Sequence, residues 1–205
     1  MKQVDKNHYH FENYTSFNRW TSYWHQLREA MALNPKSVLI IGPGDGVIVD
    51  YLKNQGMTVK TLDIADDLKP DYLGSVEDID KVVNEKFDLI ICSQVLEHLP
   101  YEKFAPTISK IKSKTKFLIL SLPYANINLL EFFIRLPKKV SFYFNLVLPK
   151  FYKKWKFDGE HYWEIASSGF PKSKIRNELV KNFNVKKEFH VKFFKYHYFF
   201  VCESK

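Results

Sequence analysis

Gly42-Pro43-Gly44-Asp45-Gly46 follows directly on the apolar run Ser37-Val38-Leu39-Ile40-Ile41 and precedes a helical pattern made by Val47, Ile48, Tyr51 and Leu52. A strand that runs into closely spaced glycines and then a helix makes a ligand-binding loop. Glycine lets the backbone turn sharply and approach a ligand, and the helix N-terminus offers unpaired N–H groups. Nicotinamide and flavin folds want a sixth-position glycine in G-x-G-x-x-G, here residue 47, and that residue is Val47. No Gly-Lys-Ser/Thr occurs, which excludes a P-loop. Asp63 lies 17 residues beyond Gly46, at the end of the next apolar run, where a carboxylate can accept from both hydroxyls of a ribose. Glu97-His98, and His161 within Gly159-Glu-His-Tyr-Trp-Glu164, supply side chains able to take a proton from a substrate. Alone, Asp63 would read as a solvated strand end and His98 as a helix-start histidine.

The elements that must hold these residues alternate in period. Ser37–Ile41 reads as a buried strand, 47–54 as a helix stopped by Gly56, and 57–62 as a second strand ending on Asp63. A short third strand is expected near 71–74, a fourth at 87–92 and a fifth at 115–120, with a helix over about 101–112 between the last two. Such alternation implies βαβ crossovers and a doubly wound, Rossmann-like, mostly parallel sheet. Residues 183–190 and 191–202 adjoin with no room for a helix, which predicts an antiparallel C-terminal hairpin. In an N-terminal helical segment, 1–34, Phe17, Trp20, Trp24, Leu27 and Met31 recur at helical spacing. They predict an apolar stripe packed on the domain edge or serving as a lid over a cofactor.

The glycine triplet, Asp63 and the run Phe87-Asp88-Leu-Ile-Ile-Cys-Ser-Gln-Val-Leu-Glu97-His98-Leu-Pro100 together resemble class I S-adenosylmethionine (SAM)-dependent methyltransferases over roughly residues 36–123, and more weakly over 159–183. The resemblance implies an α/β fold with a seven-stranded sheet in a single domain, 1–205. It also implies SAM as cofactor: Gly42, Gly44, Asp45 and Gly46 along the methionine portion, Asp63 on the ribose, and Ile64 on the adenine. Ser75 or Val76 would meet the adenine edge, where many relatives place an Asp, and Ser93 and Gln94 would sit beside the sulfonium. His161 and His98 are the implied bases, with Glu97 as an orienting partner; His161 lies in a segment similar to a His-containing turn of related methyltransferases. Some relatives bind a divalent metal through Glu-x-x-Glu-His. Here that run is Gln94-Val-Leu-Glu97-His98, and a neutral amide is a poor ligand for a hard cation, so no metal is expected.

Residues 126–158 differ from the rest of the chain. Seven Lys or Arg stand against Glu131 and Asp158, an excess of five positive charges, and nine aromatic residues are interleaved with them. This basic aromatic insertion is similar in placement to one in quinone-pathway O-methyltransferases. It suits a lid over a pocket, peripheral contact with an acidic membrane or, less well, single-stranded RNA. The net charge of +8 agrees with anionic partners. Cys92 and Cys202 lie in apolar runs without a Cys-x-x-Cys motif, and residues 1–13 contain no apolar signal segment, so a cytoplasmic protein is expected. The expected activity is methyl transfer to a small-molecule or lipid-linked acceptor, at oxygen rather than nitrogen. The alternatives are an RNA methyltransferase, against which the missing Asn-Pro-Pro-Tyr-type signature counts, and a non-catalytic SAM-binding scaffold.

Overall fold

The computed structural model describes residues 6–137 and 140–205, with Lys6 described by its backbone alone; the expectations that fall on 1–5, Lys138 and Lys139 lie outside the described residues. The chain begins with helices α1 (Phe11–Tyr14) and α2 (Phe17–Leu33). Strand β1 (Ser37–Ile41), helix α3 (Val47–Asn54), strands β2 (Thr58–Asp63) and β3 (Tyr72–Leu73), helix α4 (Ile79–Val82), strand β4 (Phe87–Ser93), helix α5 (Phe104–Lys114) and strand β5 (Thr115–Pro123) follow. Strands β6 (Asn126–Arg135) and β7 (Ser141–Pro149), helix α6 (Lys172–Asn182) and strands β8 (Phe183–Val191) and β9 (Phe194–Ser204) complete it.

The main sheet has seven strands in the order β3-β2-β1-β4-β5-β9-β8. The strands from β3 to β5 run parallel, while β9 pairs antiparallel with both β5 and β8. The expected α/β architecture and C-terminal hairpin are therefore present. The uninterrupted apolar run of β1 is explained by burial on both sides. Leu39 and Ile41 join the core under α4, α5 and α6, whereas Val38 and Ile40 join the core under α2 and α3. Strand order reverses between β1 and β4, and at such a switch point the outgoing loops part and leave a crevice at the C-terminal strand ends. Cys92 and Cys202 are fully buried free thiols, each filling core space as a small apolar residue.

Helix α2 corrects the sequence reading. Phe17, Trp20, Trp24 and Met31 are exposed, while Ser22, Tyr23, His25, Gln26, Glu29 and Ala30 face inward. Two of the polar inward residues have partners: Ser22 shares a 2.8 Å hydrogen bond with His197, and Glu29 accepts from Lys187 at 2.8 Å. Of the predicted stripe only Leu27 packs against the core, so periodicity alone misjudged most of the face.

The segment from Asp158 to Ile165 is fixed by Trp163. Its fully buried indole lies among Tyr101, Phe104 and Phe170, and its N–H donates to the Leu99 carbonyl at 3.0 Å. Trp163→Ala is expected to lower the unfolding free energy by about 3–5 kcal/mol, measured by urea denaturation.

Candidate active site

Gly42, Gly44 and Gly46 all adopt positive φ (68°, 59° and 80°). At Gly42 a Cβ would stand 2.6 Å from Val95 Cγ2, and at Gly44 it would stand 3.0 Å from the Tyr14 hydroxyl. The first two glycines are thus required by both backbone conformation and space. They border a cavity of about 570 Å³ at the ends of β1, β2 and β4, large enough for a nucleoside-sized ligand.

The other residues implied as cofactor contacts divide into two groups. Asp63, Ile64, Ser75, Val76, Ser93 and Gln94 border the same cavity as Gly42 and Gly44. Asp63 accepts from the Ala65 N–H at 2.8 Å, and Ser75 Oγ accepts from the Glu77 N–H at 3.2 Å. Ser93 Oγ is buried with no protein partner, a hydroxyl that a ligand could satisfy. Gln94 has a positive φ of 56° and donates its amide to Ser121 Oγ at 2.8 Å. Asp45 and Gly46 do not border the cavity. Asp45 accepts from the Tyr23 hydroxyl at 2.7 Å and from the Val47 N–H at 3.3 Å, so it ties the loop to α2.

The cavity also has a wall that the sequence did not reveal. Tyr9 and Tyr14 pack edge to face above Gly44, with ring centroids 4.9 Å apart. Arg19, one turn into α2, holds its guanidinium 3.6 Å over the Tyr14 ring and donates to the Tyr14 carbonyl at 2.8 Å. It is the cationic group beside the glycine loop. The Arg19 signal was present in the sequence, but nothing there linked it to residue 44.

At the far side of the cavity two segments meet. His98 closes the turn after β4, and His161 lies in the turn capped by Asp158, which accepts from the His161 N–H at 2.7 Å. The Tyr162 N–H donates to the Glu97 carbonyl at 2.9 Å, and this joins the segments. The two imidazoles stand 4.9 Å apart. Because a carbonyl only accepts, the 2.9 Å contact between His98 Nδ1 and Glu160 O places the proton on Nδ1. Burial pushes the His98 pKa below its ordinary value.

Burial alone would also lower the His161 pKa, but it is raised. A 3.1 Å hydrogen bond from Nδ1 to Glu164, with the nearby Glu97, Glu164 and Asp158 carboxyls, outweighs the desolvation. Tyr196 donates its hydroxyl to the same Glu164 carboxylate. Glu164, three residues after His161, therefore holds the orienting position that the sequence reading assigned to Glu97. Glu97 is instead fully buried, both carboxyl oxygens lack a protein partner, and burial raises its pKa to about 8. One ligand atom each from Glu97, His98 and His161 lies within 4.8 Å of the others, a spacing that could accept a divalent cation. Gln94 turns away from them towards Ser121.

A family model described as a methyltransferase domain matches residues 13–165. The chain belongs to that family of methyltransferases. The magnesium protoporphyrin IX methyltransferase of Synechocystis PCC 6803, solved with S-adenosylhomocysteine, matches with a TM-score of 0.59 at 18% identity. The match covers 91% of this chain and 83% of that one. The N-methyltransferase NodS of Bradyrhizobium japonicum WM9, also in complex with S-adenosylhomocysteine, matches with a TM-score of 0.61 at 10% identity, covering 95% and 91%. At these identities the likeness is one of fold. A ubiquinone biosynthesis O-methyltransferase of Hydrogenovibrio crunogenus is 27% identical over 88 residues; the match takes in 36% of each chain, so this protein spans about a third of that curated relative.

Two outcomes are expected. Gly42→Ala, strained at φ 68° and pressed on Val95, lowers S-adenosylhomocysteine affinity roughly tenfold in calorimetry. For Glu97, a folded-state pKa of about 8 lies above the ordinary 4.5, so its contribution to stability is greatest below 4.5 and is lost as pH rises to 8. The urea midpoint of Glu97→Gln should therefore gain on that of the wild type between about pH 5 and pH 8; parallel curves would refute this.

Proposed function

We propose that the protein transfers a methyl group from SAM to an oxygen of a small-molecule or lipid-linked acceptor, with His161 as the base. The observation that carries this reading is the His161–Glu164–Tyr196 network on the wall of the cavity that also takes in Gly42, Gly44 and Asp63. When bound, SAM supplies a methyl group already activated on a sulfonium. The chain must then align an acceptor, exclude water and remove a proton where the acceptor carries one.

Gly42 and Gly44 would accommodate the amino-acid portion, with Arg19 as counter-charge to its carboxylate, and Asp63 would hold the ribose. His161, with Nδ1 bonded to Glu164, has Nε2 left to take the proton of an acceptor hydroxyl. His98 presents its Nε2 from the facing turn as a second acceptor. A base is needed for a hydroxyl and not for an unprotonated amine, which favours oxygen. The short O-methyltransferase match points the same way. The buried free thiols Cys92 and Cys202 suit a reducing compartment, so the working place proposed is the cytoplasm.

A second reading rests on the Glu97–His98–His161 cluster, which would place a divalent cation beside the acceptor. Loss of activity on chelation, restored by one added metal, would favour it over base catalysis. An acceptor screen following S-adenosylhomocysteine release, with phenols, lipids and RNA, tests the acceptor class. Absence of S-adenosylhomocysteine binding would mean a scaffold.

With the acceptor found, His161→Gln is expected to lower kcat about 10²–10⁴-fold with the KM for SAM unchanged. The activity of the wild type should rise with pH along a limb set by the raised His161 pKa. Glu164→Gln removes the carboxylate that raises it, so the limb should move to lower pH; a limb that stays in place would refute the pairing.

A further inference from the structure

Among the described residues, the β6–β7 hairpin pairs with no other strand. Its cross-strand partners sort its two faces. Ile127 stands opposite Leu148, Leu130 opposite Leu146, Phe132 opposite Phe144 and Ile134 opposite Phe142. All eight are large and apolar, and all are exposed, at 37–59%. On the other face Asn128 stands opposite Val147, Glu131 opposite Asn145, Phe133 opposite Tyr143 and Arg135 opposite Ser141.

That mixed face is the one seated on the protein. The Phe193 ring, in the turn between β8 and β9, lies 5.0 Å from the Tyr143 ring and 5.9 Å from the Phe133 ring, and its N–H donates to the Tyr143 hydroxyl at 3.2 Å. The Tyr143 hydroxyl in turn hydrogen-bonds Glu131. An antiparallel sheet in water turns its apolar face inward; this hairpin does the reverse. A contiguous apolar patch beyond a few hundred Å² is rare on a monomer that meets water alone. None of the hairpin's described residues borders the 570 Å³ cavity, which argues against a cover for the pocket.

The basic residues that flank the hairpin in sequence select the occupant. Lys138 and Lys139 lie between the two strands in sequence, and Lys150, Lys153, Lys154 and Lys156 follow β7. Phe151, Tyr152 and Phe157, interleaved with these lysines, are exposed as well. Two copies of a chain with net charge +8 would bring like-charged rims together. RNA would need flat rings to stack on, whereas six of the eight outward residues other than the Phe132–Phe144 pair are Ile, Leu and a single Phe. An acyl boundary beneath anionic head groups matches both the aliphatic face and the basic rim.

We propose that the outer face of the β6–β7 hairpin docks on an anionic lipid bilayer. This surface is separate from the methyl-transfer site and does not rest on that reading. The test is co-sedimentation of the full chain with vesicles of phosphatidylcholine, with and without about one-third phosphatidylglycerol, in low salt and in about 0.5 M salt, where charges are screened within a few Å. The protein should bind the anionic vesicles and dissociate in high salt. Phe132→Ser/Phe144→Ser and, separately, Lys154→Glu/Lys156→Glu should each weaken binding about tenfold. These side chains are outside the core, so thermal unfolding should stay within a few degrees of wild type, which separates a lost surface from a lost fold.

Four results would overturn the proposal: no vesicle binding; binding unaffected by the paired Phe substitutions; release of bound protein by single-stranded RNA; or a wild-type dimer in analytical ultracentrifugation that the Phe substitutions turn to monomer. Failure to bind S-adenosylhomocysteine would remove the methyltransferase reading and leave this result standing.

Discussion

Strands β1 and β4 lie side by side at the centre of the sheet, and each is covered on both faces by helices, so their side chains have no room for polarity. The places where these strands can meet a ligand are their C-terminal ends, where the loops part in opposite directions. The positive-φ glycines continue β1 into that gap, while Ser93 and Gln94 end β4 beside it. Everything that the site does depends on this arrangement. Burial fixes the strands, the strands fix the loop ends, and the loop ends bring backbone close enough to hold a ligand.

The His98–His161 side of the cavity meets a harder problem, because it buries ionisable groups. His161 is held by Glu164, and Tyr196 bonds that same carboxylate, so charge in this part of the wall is paired. Glu97 is close by with no hydrogen-bond partner among the described residues, and burial raises its pKa. Trp163 and the Tyr162–Glu97 backbone hydrogen bond hold the two segments together without using any of these side chains.

Two surfaces invert the usual rule of apolar in and polar out. Helix α2 turns Ser22, His25 and Glu29 towards the sheet and leaves Trp20 and Trp24 in solvent, and the β6–β7 hairpin seats its mixed face on Phe193. Phe17 also meets Phe193, at 6.1 Å between ring centroids, so both elements approach the same turn. Ser22 and Glu29 on the helix and Tyr143 and Glu131 on the hairpin have hydrogen-bond partners, which lowers the penalty for burying them.

The sequence by itself determined the parts that follow from local rules. The bounds of β1 and α3, the antiparallel end of the sheet and the ligand loop were legible because strand runs, helical spacing and positive-φ glycines are written in neighbouring residues. Eight of the ten residues implied for the cofactor border one cavity in the fold, and His98 and His161 face each other across 62 residues of intervening chain. Tertiary structure alone decided that Glu164 and not Glu97 orients His161, that Asp45 braces the loop against Tyr23, that Arg19 and Tyr14 wall the cavity, and which faces of α2 and the hairpin are covered. Each of these depends on a partner distant in sequence, such as Tyr196, Tyr23, Gly44 or Phe193. Amphipathic spacing marks where a face exists, but the hydrogen bonds and rings opposite it determine whether that face is buried.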